Sequence, residues 1–267
     1  MAAVTERGAR RVVVVFGGGS SDTSVAAVLA SLVTERGVDI AGVFLEDQTL
    51  FRLAELPFTT ELCRITSVQR PLTTGELERQ LKVQALHAKQ AVRQVAEQVG
   101  SPWSFRKHRG PLSTALAEAR DVDLLLIGAT RRALAPAGEL LATVRMVRSG
   151  DVESQQPVAV LFDHAETSGR VLDAGIELAE RTGRALIVFL SDGAAEVYPT
   201  IVQRIQSLGP KHAAVRKVPR TAPGALLAAV RHAAPAVLIV SASETGFEEP
   251  RIDALQRELR CPMVVVR

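Results

Sequence analysis

Short apolar runs alternate along the chain with longer stretches whose apolar residues recur at helical spacing. Runs such as Val12–Phe16 and Leu124–Ile127 are rich in branched residues, and a glycine follows each. Such runs are typical of parallel strands that are buried on both faces. The predicted strands lie near residues 11–16, 40–45, 103–107, 124–127, 158–162, 185–190, 213–218, 236–240 and 262–266.

The stretches between these runs predict helices that pack one apolar face on a sheet. Gly37 ends the first of them, and Pro57 stops a short one. Thr73 and Glu76 form a capping box that begins a long helix. The other predicted helices lie near residues 112–119, 137–148, 167–182, 195–208, 223–233 and 250–259.

The order of these elements repeats in the two halves of the chain. The segment Thr34–Asp47 aligns without a gap to Ala179–Asp192, and both contain the sequence VFL. Alternating strands and helices predict parallel sheets with right-handed crossovers. The predicted fold class is therefore α/β, with two doubly wound parallel-sheet domains, 1–150 and 151–267, that form an internal pseudo-dimer about a near two-fold axis.

Two irregularities interrupt this repeat. The first half has four predicted strands and the second has five, so either the first domain lacks its last strand or strand 158–162 lies where two sheets meet. Residues 46–73 form an insertion that has no counterpart in the second half. We interpret it either as a lid or partner-binding patch, or as a segment packed over its own sheet, since long loops are usually functional or disordered.

The composition excludes several classes of protein. Hydrophobic residues make up 47%, charged residues 23% and aromatic residues 4% of the chain, and the net charge is +3. Arginine is spread along helices and aromatic platforms are lacking, so no nucleic-acid partner is predicted. Cys63 and Cys261 give no disulfide framework, and no apolar stretch is long enough to span a membrane, which predicts a soluble, cytoplasmic protein.

The chemistry-bearing residues form no local catalytic or metal motif. The five histidines lack partners at metal-ligand spacing, and no nucleophile elbow, P-loop or Cys–His signature is present. The prediction is a protein that is not an enzyme and holds no metal. No cofactor is assigned.

The candidate ligand site is a crevice at the carboxyl ends of parallel strands, the usual binding position in open α/β sheets. GGGSSD follows the first strand and could present amides to an anion at a helix N-terminus; the alternative is a turn that needs positive φ. The arginines after Gly128 could hold a phosphate or carboxylate, or form a solvated loop. Asp163 is a candidate at the matching point of the second half, or a helix cap. The candidate residues are Gly17, Gly18, Gly19, Ser20, Ser21, Gly128, Thr130, Arg131 and Asp163.

On three of these features the chain resembles a tandem universal stress protein. They are the first strand with its turn into a helix, the run DLLLIG (Asp123–Gly128), and the terminal CPMVVVR (Cys261–Arg267). The resemblance implies two doubly wound domains that pair internally through their last strands, and a role in the stress response. It also implies ATP binding in those members that carry an acidic residue after the first strand and three spaced glycines after the fourth.

This sequence departs from that nucleotide motif in both halves. Gly17 stands where the first half should have the acidic residue, and only Gly128 fits the glycine pattern. Asp163 fits the acidic position of the second half, but all its glycines are replaced. The replacing residues are Arg131 and Leu141 in the first half and Ser241, Glu244 and Ala254 in the second. Side chains at these positions keep backbone amides from phosphates, so binding of ATP or AMP is predicted to be weak or absent.

The sequence therefore predicts a non-catalytic, universal-stress-like regulatory or binding protein with a small anionic ligand. One alternative is an enzyme of the nucleotide-binding α/β group that uses GGGSSD for a phosphorylated small molecule. Another is a protein-interaction module whose partner binds segment 46–73. Further dimerisation of the internal pseudo-dimer is left open.

Overall fold

A computed structural model describes the chain in blocks that include all nine predicted strands. The described residues are 11–17, 22–34, 36–62, 67–117, 122–128, 156–162, 169–191, 196, 198–208, 213–218, 225–242, 259 and 261–266. The predicted helices 137–148 and 250–259 lie outside them, except for Leu259, which is described as a non-helical residue.

Eleven strands and seven helices are present in these residues. The strands are β1 (Arg11–Gly17), β2 (Asp39–Glu46), β3 (Thr60–Leu62), β4 (Gln69–Pro71), β5 (Trp103–Arg109), β6 (Leu124–Ile127), β7 (Val158–Phe162), β8 (Leu186–Ser191), β9 (Ala213–Val218), β10 (Val237–Ser241) and β11 (Met263–Val266). The helices are α1 (Asp22–Leu32), α2 (Gln48–Ala54), α3 (Thr74–Val99), α4 (Leu112–Ala117), α5 (Gly169–Thr182), α6 (Tyr198–Leu208) and α7 (Ala225–Ala233). Apart from the β3–β4 hairpin, they follow the alternation predicted from the sequence.

Nine of these strands form one continuous sheet in the order β5-β2-β1-β6-β11-β10-β7-β8-β9. Neighbours pair in parallel everywhere except at β6 and β11, which are antiparallel. The predicted α/β class with a mostly parallel sheet is therefore confirmed. The near two-fold relation of the halves and their division into two domains stay predictions.

Side chains of the central strands alternate between two apolar layers. Val12, Val14 and Phe16 belong to one layer, and Val13 and Val15 belong to the other. We call these the α3 face, which α1, α2, α3, α5 and α6 cover, and the α4 face, which α4 and α7 cover in the described part of the chain. Each layer contains residues of both halves, so the two halves share their hydrophobic core.

The junction between β6 and β11 explains the uneven number of strands. β6 has β1 on one side and β11 on the other, so no further strand can lie beside it. Strand 158–162 (β7) pairs with β8 and β10, both of the second half, so it does not lie where two sheets meet. The last strand of the second half thus pairs with the fourth strand of the first, whereas the resemblance implies pairing of the two last strands.

The gapless alignment of the two halves is wrong by one position in the second strand. Phe16 pairs with Phe44 in the first half, and Phe162 pairs with Leu190 in the second. Phe44 and Leu190 both lie on the α3 face, whereas Phe189 lies on the α4 face. The sequence match VFL therefore does not mark equivalent positions. A slip of one residue moves every side chain of a strand to the other face.

The insertion 46–73 contains α2 and a small antiparallel hairpin, β3–β4, that the sequence did not predict. The side chain of Asp47 accepts a hydrogen bond from the amide of Thr49 (2.8 Å), which caps α2. Phe51 buries α2 against the core, but most residues of the hairpin are exposed. For α2, the structure supports the alternative of a segment packed over its own sheet. For the rest of the insertion, the lid, the partner-binding patch and the packed segment stay alternatives.

Helix α3 begins where its sequence predicts. The Thr73 hydroxyl accepts a hydrogen bond from the amide of Glu76 (3.3 Å), and Gly100 ends the helix with a left-handed φ of 66°. Although α3 is 26 residues long, it carries many charged residues, and the described helices include none that is long and apolar enough to cross a membrane.

Candidate functional site

The predicted crevice begins at two neighbouring strand ends. β1 ends at Gly17 and β6 is followed by Gly128, and the two strands are paired from Val12–Leu124 to Val15–Ile127. The amide of Gly128 donates to the carbonyl of Val15 at 2.9 Å. Both loops therefore leave the sheet at a point where the strand order reverses, which is where open α/β sheets bind ligands.

Only two of the nine predicted site residues, Gly17 and Gly128, are among the described residues. The structure brings them to the same edge of the sheet, on adjacent strands. The others lie outside the described residues: Gly18, Gly19, Ser20, Ser21, Thr130, Arg131 and Asp163. Their roles stay predictions.

The corresponding strands of the second half point in the opposite direction, so their carboxyl ends lie at the other end of the sheet. β7 ends at Phe162, one residue before Asp163, and β10 ends at Ser241. These two strands are also paired in parallel, but the antiparallel junction between β6 and β11 reverses the direction of the second half. A ligand in one crevice therefore has no direct contact with the other. The hydroxyl of Ser241 donates to the carbonyl of Ala242 (2.9 Å).

A buried carboxylate that sequence reasoning missed lies beside the first crevice. Glu46 ends β2 and is only 8% exposed. Its Oε2 atom accepts from Arg109 Nε (3.0 Å), and its Oε1 atom lies 3.7 Å from Lys107 Nζ. Arg109 also stacks over the ring of Phe51, 3.9 Å from its centroid. The sequence signal for this residue is a carboxylate at the end of an apolar run, in FLED (Phe44–Asp47).

This cluster neutralises the basic end of β5. Lys107 and Arg109 are about half exposed, and Arg109 also lies 3.9 Å from Glu78 of α3. Buried carboxylates need such partners, because an unpaired buried charge is strongly destabilising. The cluster therefore stabilises the carboxyl ends of β2 and β5.

A basic dipeptide recurs in the third strand of each half. Sheet register places Lys107 opposite Phe44 and Lys217 opposite Leu190, so Arg106–Lys107 and Arg216–Lys217 occupy equivalent positions. Lys217 lies 4.1 Å from the centroid of the Tyr198 ring. β5 and β9 are the two outer strands of the described sheet, and charged residues there oppose edge-to-edge aggregation. The repeated Arg–Lys pair could have shown from sequence that these two strands are equivalent.

His108 and Thr114 lie close enough for a base and a nucleophile, but their hydrogen bonds run in the wrong direction for that role. His108 Nε2 lies 2.7 Å from Thr114 Oγ1. The Thr114 hydroxyl donates its only proton to the carbonyl of Pro111 (2.9 Å), so the histidine nitrogen must be the donor. Thr114 is therefore not activated as a nucleophile by this histidine.

Cys261 lies just before the last strand, β11. Burial raises the pKa of the Cys261 thiol from its ordinary value of 9.0 to about 12, although backbone hydrogen bonds partly offset this effect. A thiol with such a pKa is protonated and unreactive at neutral pH. Among the described residues, no three His, Cys, Asp or Glu side chains are grouped as metal ligands.

No protein-family model matches the chain, and no curated protein matches it. Solved structures similar to it include a universal stress protein from Archaeoglobus fulgidus DSM 4304, with 12% identity, 96% of this chain and 98% of that chain covered, and a TM-score of 0.48. Another universal stress protein from Archaeoglobus fulgidus has 16% identity, covers 42% of this chain and 93% of its own, and has a TM-score of 0.36. The cytoplasmic domain of a prokaryotic cation chloride cotransporter has 10% identity, coverage of 96% and 95%, and a TM-score of 0.45. Fold alone does not fix function.

Proposed function

We propose that the chain is a non-catalytic, universal-stress-like binding or regulatory protein that holds a small anion at the first crevice. The observation that carries this proposal is the position of Gly17 and Gly128 at neighbouring strand ends, where the strand order reverses. Glycine-rich turns let backbone amides approach an anion without an intervening Cβ atom. α1, which begins at Asp22, directs its N-terminus toward the same edge and favours negative charge.

The ligand is proposed to be a phosphate or carboxylate compound other than ATP. Arg131 and Leu141 stand where the nucleotide motif of the resembled family has glycines. Arg131 can still offer a forked, charge-assisted contact to an anion. The second crevice carries Asp163 and Glu244 at the matching sequence positions, and these charges repel the same ligand.

Calorimetric titration of the full chain with inorganic phosphate, pyrophosphate, AMP and ATP tests this proposal. We expect a small anion to saturate the site. ATP should not saturate it below roughly 1 mM, which corresponds to a binding free energy of about −4 kcal/mol. Arg131→Ala should weaken the anion by about 1.5–3 kcal/mol, and Gly18→Val should abolish its binding. Arg204→Ala, which removes a surface arginine paired with Asp173 on α5, is the matched control and should have no effect.

Two results would contradict the proposal. Saturation by ATP well below 1 mM would show that the incomplete glycine pattern still forms a nucleotide site. Anion binding that neither Arg131→Ala nor Gly18→Val changes would place the ligand elsewhere on the chain.

A second candidate function, a protein-interaction module, is favoured by the exposed apolar residues of the insertion. Phe58 is 97% exposed and has a left-handed φ of 70°, an unfavourable combination for a bulky side chain. Leu56, Leu62 and Val68 of the same segment are also more than half exposed. Sedimentation velocity of the wild type and of Phe58→Ser, over a range of concentrations, tests self-association through this segment. Identical monomeric behaviour of both proteins would count against it.

A further inference from the structure

The exposed large apolar side chains of the described residues are confined to one stretch of the first half. Each is at least half exposed, and they lie on insertion 46–73 and on the amino-terminal half of α3: Leu56, Phe58, Leu62, Val68, Val83 and Leu86. None lies in the described part of the second half, which has no counterpart of the insertion. Single apolar residues are common on protein surfaces, but such a concentration is typical of a contact surface.

Phe58 is presented by a strained turn. The amide of Thr59 donates to the carbonyl of Leu56 (3.5 Å), with Pro57 second and Phe58 third in the turn. Glycine is the usual third residue of a turn with positive φ at this position, whereas Phe58 has a φ of 70° and exposes almost its whole side chain. The conformation therefore carries a cost that burial of the ring does not offset in the isolated chain, and this indicates a contact with another molecule.

The exposed side of α3 carries two apolar residues between two lysines. Val83 and Leu86 are about one helical turn apart, and Lys82 and Lys89 lie beside Leu86 on the same surface. All four are exposed, and neither lysine forms an ion pair with a described residue. The sequence 79–96 contains no acidic residue, so this surface is basic as well as apolar. We call Lys82, Val83, Leu86 and Lys89 the α3 patch.

The turn and the α3 patch of one chain do not cover each other. The amide of Leu72 donates to the carbonyl of Thr59 (2.9 Å), which holds the turn beside the residues that lead into α3. Leu86 lies about 18 Å along the helix from its first residue, Thr74. Phe58 is almost fully exposed and so covers no apolar residue of its own chain. Both surfaces are therefore available to a second molecule.

We propose that two copies of the chain pair through these surfaces, with Phe58 of each copy packed on the α3 patch of the other. Glu55, which is exposed beside the turn, then faces the lysines of that patch. The chain thus carries both an apolar residue next to an acid and an apolar patch between bases, and this complementarity favours a second copy as the partner. The proposal rests on the second candidate function, self-association through the insertion, and adds the surface that receives Phe58.

A two-fold axis relates the copies in this arrangement. One contact made by a single aromatic ring is far smaller than the roughly 800 Å² per partner of a specific interface. Because each copy offers both the turn and the α3 patch, the contact forms twice and the assembly closes as a dimer. Leu56, Leu62 and Val68 add exposed apolar area on the same insertion.

Sedimentation equilibrium of the full chain tests this pairing. The wild type should dimerise with a Kd below about 1 mM. We expect Phe58→Ser and Leu86→Gln each to raise this Kd at least about tenfold, because each removes one side of the same apolar contact. If circular dichroism shows that Leu86→Gln is misfolded, Val83→Gln tests the same patch.

A charge exchange tests which surfaces meet. Glu55→Lys and the double variant Lys82→Glu/Lys89→Glu should each pair at least about tenfold more weakly than the wild type, because like charges then face each other. An equimolar mixture of the two variants should recover pairing, since each turn again meets the opposite charge. Arg36→Glu, a charge reversal at an exposed residue before β2, is the matched control and should leave the Kd unchanged.

The outcomes separate this pairing from self-association in general. A wild type that stays monomeric up to about 1 mM would contradict both. Dissociation by Phe58→Ser without an effect of Leu86→Gln would overturn the role of the α3 patch and leave self-association through the insertion standing. A mixture of the two charge variants that stays monomeric would overturn it in the same way.

Discussion

The two halves of the sheet have matching strand orders around their first strands but different surfaces. In each, the first strand lies between the second and the fourth. On the α4 face, Ala41 of β2 stands at the register position that the larger Ile187 holds in β8. At the carboxyl ends, the first half continues into glycines and the second into Asp163. The two halves thus share a backbone arrangement, and they differ in the side chains that it carries.

The largest expected effect on stability comes from a cavity in the hydrophobic core that the two halves share. Leu125 of β6 lies opposite Val265 of β11, and both are fully buried. We expect Leu125→Ala to lower the free energy of unfolding by about 2–5 kcal/mol, because it leaves a cavity at the junction. Urea unfolding followed by Trp103 fluorescence and by far-UV circular dichroism should give one shared transition. Two separated transitions, with only one shifted, would show that the halves unfold independently.

One buried glycine in each half leaves room for a neighbouring side chain where a helix packs on the sheet. A Cβ atom on Gly175 of α5 would overlap the side chain of Val160, which is fully buried and cannot move aside. Gly175→Val should therefore lower stability by about 1–3 kcal/mol in thermal denaturation. Gly169→Ala on the same helix meets no atom within 4 Å and is the control. A Cβ atom on Gly42 would lie 2.7 Å from the half-buried ring of Phe105 and 3.0 Å from the buried side chain of Val92. Because the Phe105 ring can shift toward solvent, we expect Gly42→Ala to cost less than Gly175→Val. A larger loss of stability for Gly42→Ala would contradict this packing.

The pH dependence of stability tests the surroundings of Cys261 beside β11. Cys261 precedes β11, and its pKa is about 12 in the folded protein against an ordinary 9.0. Because the raised pKa favours the protonated thiol, its contribution is complete below pH 9 and is lost as pH rises toward 12. The loss should be at most about 1.4 kcal/mol per pH unit. Subtracting the stability curve of Cys261→Ala from that of the wild type isolates this thiol from other titrating groups. A flat difference curve would contradict the burial of Cys261.

The smallest expected effect concerns the charge cluster of the first half. Glu46→Gln should cost only about 1 kcal/mol, because Lys107 and Arg109 are half exposed and can be hydrated. Removing this carboxylate should also strengthen anion binding at the neighbouring crevice. Asp173→Asn, which breaks a surface pair with Arg204, is the comparison. Equal effects of added salt on both variants and the wild type would argue against an electrostatic role for Glu46.

The sequence by itself determined the strands and the class of fold. Seven of the nine predicted strands are buried apolar runs in the structure, because branched residues without a polar face have no other stable position, whereas the outer strands β5 and β9 are mostly exposed or half-buried. The cap at Thr73 and the left-handed Gly100 set the ends of α3 locally. The neighbouring positions of Gly17 and Gly128 also followed, since both end strands that α/β topology places side by side.

Tertiary structure decided how the halves join and which side chains share a face. The antiparallel pairing of β6 with β11 depends on contacts between residues far apart in sequence, which no local pattern contains. The register that equates Phe44 with Leu190 depends on pairing with β1 and β7, so the identical letters VFL were misleading. Val13, Ala41 and Ser104 lie side by side on three adjacent strands, although they are far apart in sequence. Sequence periodicity sets which residues are buried, but only the packed sheet sets which of them meet.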